Sequence, residues 1–193
     1  MKTAPADDHV LAATRHWLET AVIGLNLCPF AKAPYIKNQV RIRISSARHL
    51  DAFLEDLDAE LQLLAATPAE ESETTLLVQP SLFPDFLVFN DMLDLAEAAI
   101  ADNGLEGVIQ IAPFHPDFQF ADTHPDDISN YTNRSPYPTL HLIREASIER
   151  AVTTFPDPAV IFERNIAVLT ELGEEGWTNL SIGTNAAKQE ADS

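Results

Sequence analysis

Basic residues are scarce in this chain. It sets 12 Lys and Arg against 30 Asp and Glu, a formal net charge of −18. Nucleic acid and anionic membrane surfaces are held by Lys and Arg against phosphate. The nearest approach to a basic patch is Arg41, Arg43 and Arg48, so neither class of partner is expected. The acidity reads first as a solubility feature. Cysteine occurs once, at Cys28, which excludes an intramolecular disulfide. No apolar run approaches the ~20 residues that cross a bilayer, and the opening MKTAPADDHV has no secretory apolar stretch. These absences together make a cytoplasmic location the expectation. No glycine-rich phosphate loop, Walker-type motif or zinc-finger spacing occurs.

What is present is patterned, and it fits a single domain over 1–193 with loose ends at 1–7 and 183–193. Leu11, Leu18 and Val22, with Trp17 and Ala21, mark one face of a helix over 8–24. Gly24, Pro29 and Pro34 break it in GLNLCPFAKAP. Val40, Ile42 and Ile44 alternate with Arg41 and Arg43, a half-buried strand. Ser45 or Ser46 is placed to cap a second helix carrying Leu50, Phe53, Leu54, Leu57, Leu61 and Leu64. A strand over 75–79, a helix from Asp85 stopped by Asn103-Gly104, and a strand over 108–111 follow. From Pro113 to Pro138 periodicity vanishes, and long aperiodic segments inside compact domains are commonly functional loops. Helices are expected over 138–152 and 158–172, the second with Asp157 as N-cap and Pro158 in its first turn. The expected fold is α/β or α+β, with a small three- to four-stranded sheet, alternating helices and two C-terminal helices.

Polar residues concentrate in three places. Cys28 stands in the break after the first helix, a nucleophile if a base reaches it and otherwise a small hydrophobe beside Leu27 and Phe30. His115 follows the third strand, where α/β sheets place ligands. His124 stands among Asp122, Asp126 and Asp127 and reads as solvated. In NYTNRSPYPTLHLIRE, residues 130–145, Asn130, Asn133, Arg134 and Ser135 precede an expected helix start, a place suited to an anion. Within that helix His141 and Glu145, four apart, would share a face at a spacing open to metal ligation. Arg144 lies beside them and would pair with a carboxylate.

GLNLCPFAK, FHPDFQF and above all NYTNRSPYPTLHLIREASIERAV resemble the bacterial family called domain of unknown function 1415. The resemblance runs over about Val10 to Leu180, and NRSPYPTLHLIRE is its most specific string. It implies a compact bacterial cytoplasmic protein and brings no particular activity. It also implies a signature of Cys28, Pro29 and Phe30; His115 and Pro116; Asn130, Asn133, Arg134, Ser135 and Pro136; and His141, Arg144 and Glu145. These residue types suit a site better than a core.

Three functional expectations follow. The first is a small-molecule hydrolase or group transferase with Cys28 as nucleophile and His115 or His141 as base, oriented by Asn130 or Glu145. Arg134 and the 135–137 backbone, with Asn130, Asn133, Ser135 and Arg144, would hold an anionic or carbonyl substrate. The second is a zinc or iron enzyme ligated by His115, His141 and Glu145, with Cys28 a further candidate. The third is a non-catalytic ligand- or partner-binding module that presents Tyr131, Tyr137 and Arg134.

Overall fold

The computed structural model describes residues 5–154 and 158–183. The N-cap expected at Asp157, the leading residues 1–4 and the tail beyond Gly183 lie outside the described residues.

Helix α1 (Asp7–Trp17) opens on Asp7 and Asp8 and closes on Arg15 and His16, charges that oppose its dipole. It continues as a π-helical turn, Leu18–Ile23. A Cβ at Gly24 would collide with the Thr20 carbonyl and lie 2.9 Å from that of Glu19, so only glycine fits there. After the short α2 (Lys32–Ile36) come β1 (Val40–Ile44), α3 (Leu50–Ala66), β2 (Thr74–Val78) and α4 (Phe86–Asp102). Then follow β3 (Ile109–Phe114), a 3-10 turn (Ile128–Asn133), β4 (Thr139–Arg144), α5 (Glu145–Thr154) and α6 (Pro158–Asn179). The helix expected from Asp85 is α4, and Asp85 is its cap, its Oδ1 accepting from the N–H groups of Leu87 and Val88 at 2.9 and 3.1 Å. The cap of α3 differs from expectation. His49 Nδ1 accepts from Ala52 N at 3.3 Å, while Ser45 donates instead to Asp56 at 2.6 Å.

The fold is α+β, a four-stranded mixed sheet in the order β1-β2-β4-β3. β1 and β2 are parallel and joined across α3; β4 runs antiparallel to both β2 and β3. The expected helix over 138–152 is therefore corrected: its first part, residues 139–144, is a strand, and helix begins at Glu145. Leu140 and Leu142 alternate with His141 and Ile143 in a slot between β2 and β3, and two ladders of hydrogen bonds outweigh local helix propensity.

Two cores form back to back on this sheet. On one face Phe53, Leu57, Leu61 and Leu64 of α3 and Phe89, Met92 and Ala96 of α4 pack on Leu77, Leu140 and Leu142. On the other, Val10, Trp17, Leu18 and Ala21 join Leu169 and Trp177 of α6 over Leu76 and Val78. β2 is buried along its whole length, as expected of a strand covered on both faces. Among the described residues no helix is long and apolar enough to cross a membrane.

The charged residues of β1 do not face open solvent alone. Arg41 forks onto Glu60 of α3 at 2.7 and 2.9 Å, and Arg43 reaches Asp56 at 3.6 Å. From β4, Arg144 Nη2 reaches the carbonyls of Leu64, Thr67 and Ser72 at 2.7, 2.6 and 2.9 Å. It thereby closes the end of α3 and the turn leading to β2. A cation on helix-terminal carbonyls is favoured by the dipole as well as by hydrogen bonding. Arg144→Ala is expected to cost about 3 kcal/mol of unfolding free energy, since three carbonyls lose a charged donor. Urea denaturation checks this, and Arg144→Lys should recover less than half.

Candidate functional site

Most of the polar residues expected to bind substrate instead satisfy backbone groups of the loop between β3 and β4. Asn130 is fully buried. Its Oδ1 accepts from Phe120 N at 2.9 Å and Thr123 Oγ1 at 2.8 Å, and its Nδ2 donates to His124 O at 2.9 Å. Asn133 donates to Pro113 O at 3.1 Å. Ser135 Oγ donates to Tyr137 O at 2.7 Å. Arg134 lies 4.0 Å over the Tyr131 ring and donates to Pro125 O at 2.8 Å. A buried carbonyl left unpaired costs on the order of 1–3 kcal/mol, so a loop this long needs such internal donors. The helix start on which the anion site near Arg134 and Ser135 was expected does not form; the strand β4 begins at Thr139 instead.

The candidate bases are likewise engaged by groups within the fold. The His115 ring is buried, with Nε2 2.9 Å from Phe83 O and Nδ1 accepting from Asp117 N at 3.0 Å. A carbonyl can only accept, so Nε2 carries the proton and both nitrogens are committed. Burial lowers its pKa, against the Phe83 carbonyl and the carboxylates of Asp117 and Asp85. His141 lies on β4 opposite Leu76 and Ala112. Thr74 Oγ1 donates to Leu142 O at 2.6 Å and lies 2.7 Å from His141 Nε2, which makes that nitrogen the donor to the hydroxyl. Burial holds the ring neutral, its pKa lowered to about 4. Glu145 opens α5, with its N–H on Val108 O at 2.9 Å. The shared helical face expected for His141 and Glu145 does not exist, since one is in a strand and the other starts a helix. Among the described residues no three His, Cys, Asp or Glu side chains group as a metal-binding set.

Cys28 is half-buried and unpaired in a disulfide. Burial raises its thiol pKa, while the N–H groups of Phe30 and Ala31 act in the opposite sense. Its loop is gripped from α6: Arg164 donates to the carbonyls of Asn26 and Leu25 at 2.6 and 3.1 Å, and Asn165 to Leu27 O at 2.9 Å. Among the described residues no hydrogen bond joins Cys28 to a histidine.

A cleft of about 540 Å³ opens where the turn after β2, the end of β3 and the start of β4 converge against the start of α1. Its walls include Pro80–Pro84, His115–Asp117 and Pro136–Pro138, with His9 from α1. The turn is held from below. Gln79, fully buried, accepts from Ser81 N and Leu82 N at 2.8 and 3.1 Å, and donates to Ser45 Oγ at 3.2 Å and Ala47 O at 3.3 Å. Phe83 adopts a left-handed φ of 58°, and its carbonyl receives the His115 proton.

A protein-family model described as protein of unknown function (DUF1415) matches residues 9–179. The chain belongs to this family. No curated protein and no solved structure matches it. In this DUF1415 member, of the expected Cys28, His115 and His141, only His115 lines the cleft. Pattern reading overlooked Ser81, Phe83 and Asp117, which line the cleft, and Gln79, which holds its turn from below. The available signal was QPSLFPD, a proline-bounded turn directly after a strand.

The two histidines whose pKa burial lowers contribute to the acid response. His141 has its ordinary value of 6.5 when unfolded and about 4 when folded, so the unfolded chain takes up the proton first. Stability is then expected to fall as pH drops between these values, by up to ~1.4 kcal/mol per pH unit, and His115 adds in the same sense. His141→Gln, which keeps a donor for Thr74, should flatten the slope in urea unfolding measured from neutral to acid pH.

Proposed function

We propose that this DUF1415 member is a small-molecule-binding module whose ligand seats in the cleft beside Phe83 and Tyr137. The observation that carries this reading is the left-handed Phe83 in the cleft wall. A non-glycine residue there stores on the order of 1–3 kcal/mol. Two buried side chains, Gln79 and His115, hold that turn in place. Restraint of this kind pre-forms a surface, and the cleft's volume falls in the ordinary range for small-molecule sites. Thermal unfolding against a small-molecule library tests the reading. At least one compound class should raise Tm, and Ser81→Trp, which fills the mouth from a half-buried position, should abolish the rise. A library in which no compound depends on Ser81 in this way would sink it.

A second reading keeps Cys28 as the nucleophile of a hydrolase or group transferase. Burial, the larger effect, raises the Cys28 thiol pKa; the N–H groups of Phe30 and Ala31 beside the sulfur act toward the thiolate and are what supports this reading. Under this reading a substrate protects Cys28 from iodoacetamide, and Cys28→Ser folds normally yet loses turnover. Alkylation indifferent to every bound ligand would make Cys28 a packing residue.

A further inference from the structure

Resting on the cleft reading, we infer that the cleft takes an organic cation with an apolar body, such as an aryl- or alkylammonium compound. The composition of the walls carries this. Pro5, Pro80, Pro84, Pro116, Pro136 and Pro138 line it, and proline has no N–H to offer. The N–H groups of His9, Ser81, Leu82, His115 and Asp117 are spent inside the protein, on Ala6 O, Gln79 Oε1, Asn133 O and His115 Nδ1. The imidazole of His115 has both nitrogens committed. The side-chain donors left in the walls are the hydroxyls of Ser81 and Tyr137 and the His9 ring, a small set for the several acceptors of a carboxylate or phosphate.

Acceptors and negative charge are available. Asp117 lines the cleft as an exposed carboxylate. Asp85, at the head of α4, lies close enough to His115 to act on its charge together with Asp117. The whole molecule carries −18, a field that gathers cations and repels anions. Opposing this, Arg48 donates to Ser81 Oγ at 3.1 Å; it is exposed and therefore screened by solvent. The proline rings with Leu82, Phe83 and Tyr137 give the apolar walls. An ammonium beside Asp117 with its hydrocarbon on those walls satisfies both parts of the surface.

Three probes of one shape separate the charges: phenethylamine, 2-phenylethanol and 3-phenylpropanoate, titrated into the full chain by NMR. Phenethylamine should bind at least about tenfold more tightly than the alcohol, and the anion most weakly of the three. Asp117→Asn should remove about tenfold of the amine's affinity and leave the alcohol's unchanged. Both Asp117→Asn and Ser81→Trp alter accessible side chains, and circular dichroism confirms that each variant is folded. Equal or tighter binding of the alcohol or the anion, or amine binding indifferent to Asp117→Asn, overturns the inference. If that binding is still lost in Ser81→Trp, the cleft reading survives the failure of the cation. Failure of all three probes to bind also overturns the cation inference. Binding that persists in Ser81→Trp overturns the inference together with the placement of the ligand in the cleft.

Discussion

The His115 imidazole ties together three segments that the chain brings from far apart. Its Nε2 proton goes to Phe83 in the turn after β2, and its Nδ1 takes the N–H of Asp117 beyond β3. Its own backbone N–H donates to Asn133 O at 3.2 Å, at the far end of the loop that returns to β4. Phe86 and Phe89 of α4 pack on the ring at 5.5 and 5.3 Å between centroids. A neutral ring with both nitrogens satisfied suits this enclosure, because the cost of taking a charge out of water outweighs the favourable effect of the Asp117 and Asp85 carboxylates. The wall of the cleft and the return of the chain into the central strand both depend on it.

The same economy governs the other cations and amides. Arg144 closes α3, Arg164 grips the turn before Cys28, Arg134 lies on Tyr131, and Arg41 is forked onto Glu60. With so few basic residues in the chain, these internal duties leave little positive charge for a ligand. Surface acid is left in excess, which gives the molecule its field. Asn130 performs the corresponding service inside the long loop, serving donors and acceptors of four other residues. Polar residues of site-like type have here become the framework of an irregular segment.

The helices α3 and α4 were legible because each repeats Leu and Phe at helical spacing over several turns. β1 and β2 were legible from alternation and from an apolar run bounded by turns. β4 was not. TLHLIR followed by EASIERAV reads locally as one helix, and only the partners on both sides turn its first six residues into a strand. Reading a helix there made His141 and Glu145 neighbours on one face and placed a helix start beside Arg134. Both of these spatial premises fell with the secondary structure. Cys28 was correctly placed in a break, yet its nearest side-chain supports, Arg164 and Asn165, come from more than 130 residues further along the chain. No local pattern reports such a contact.

The sequence by itself determined the family, through the resemblance of particular strings, and also the mixed helix and strand class and the acidic field. The last two follow from composition and from periodicities that span a few residues. Tertiary structure alone decided the fourth strand, the inward commitments of His115, Asn130 and Arg144, and the existence of the proline-walled cleft. Each of these is a matter of which donors meet which acceptors across long stretches of chain. A hydrogen bond between distant segments leaves no period in the sequence, because its partners are chosen by folding rather than by spacing.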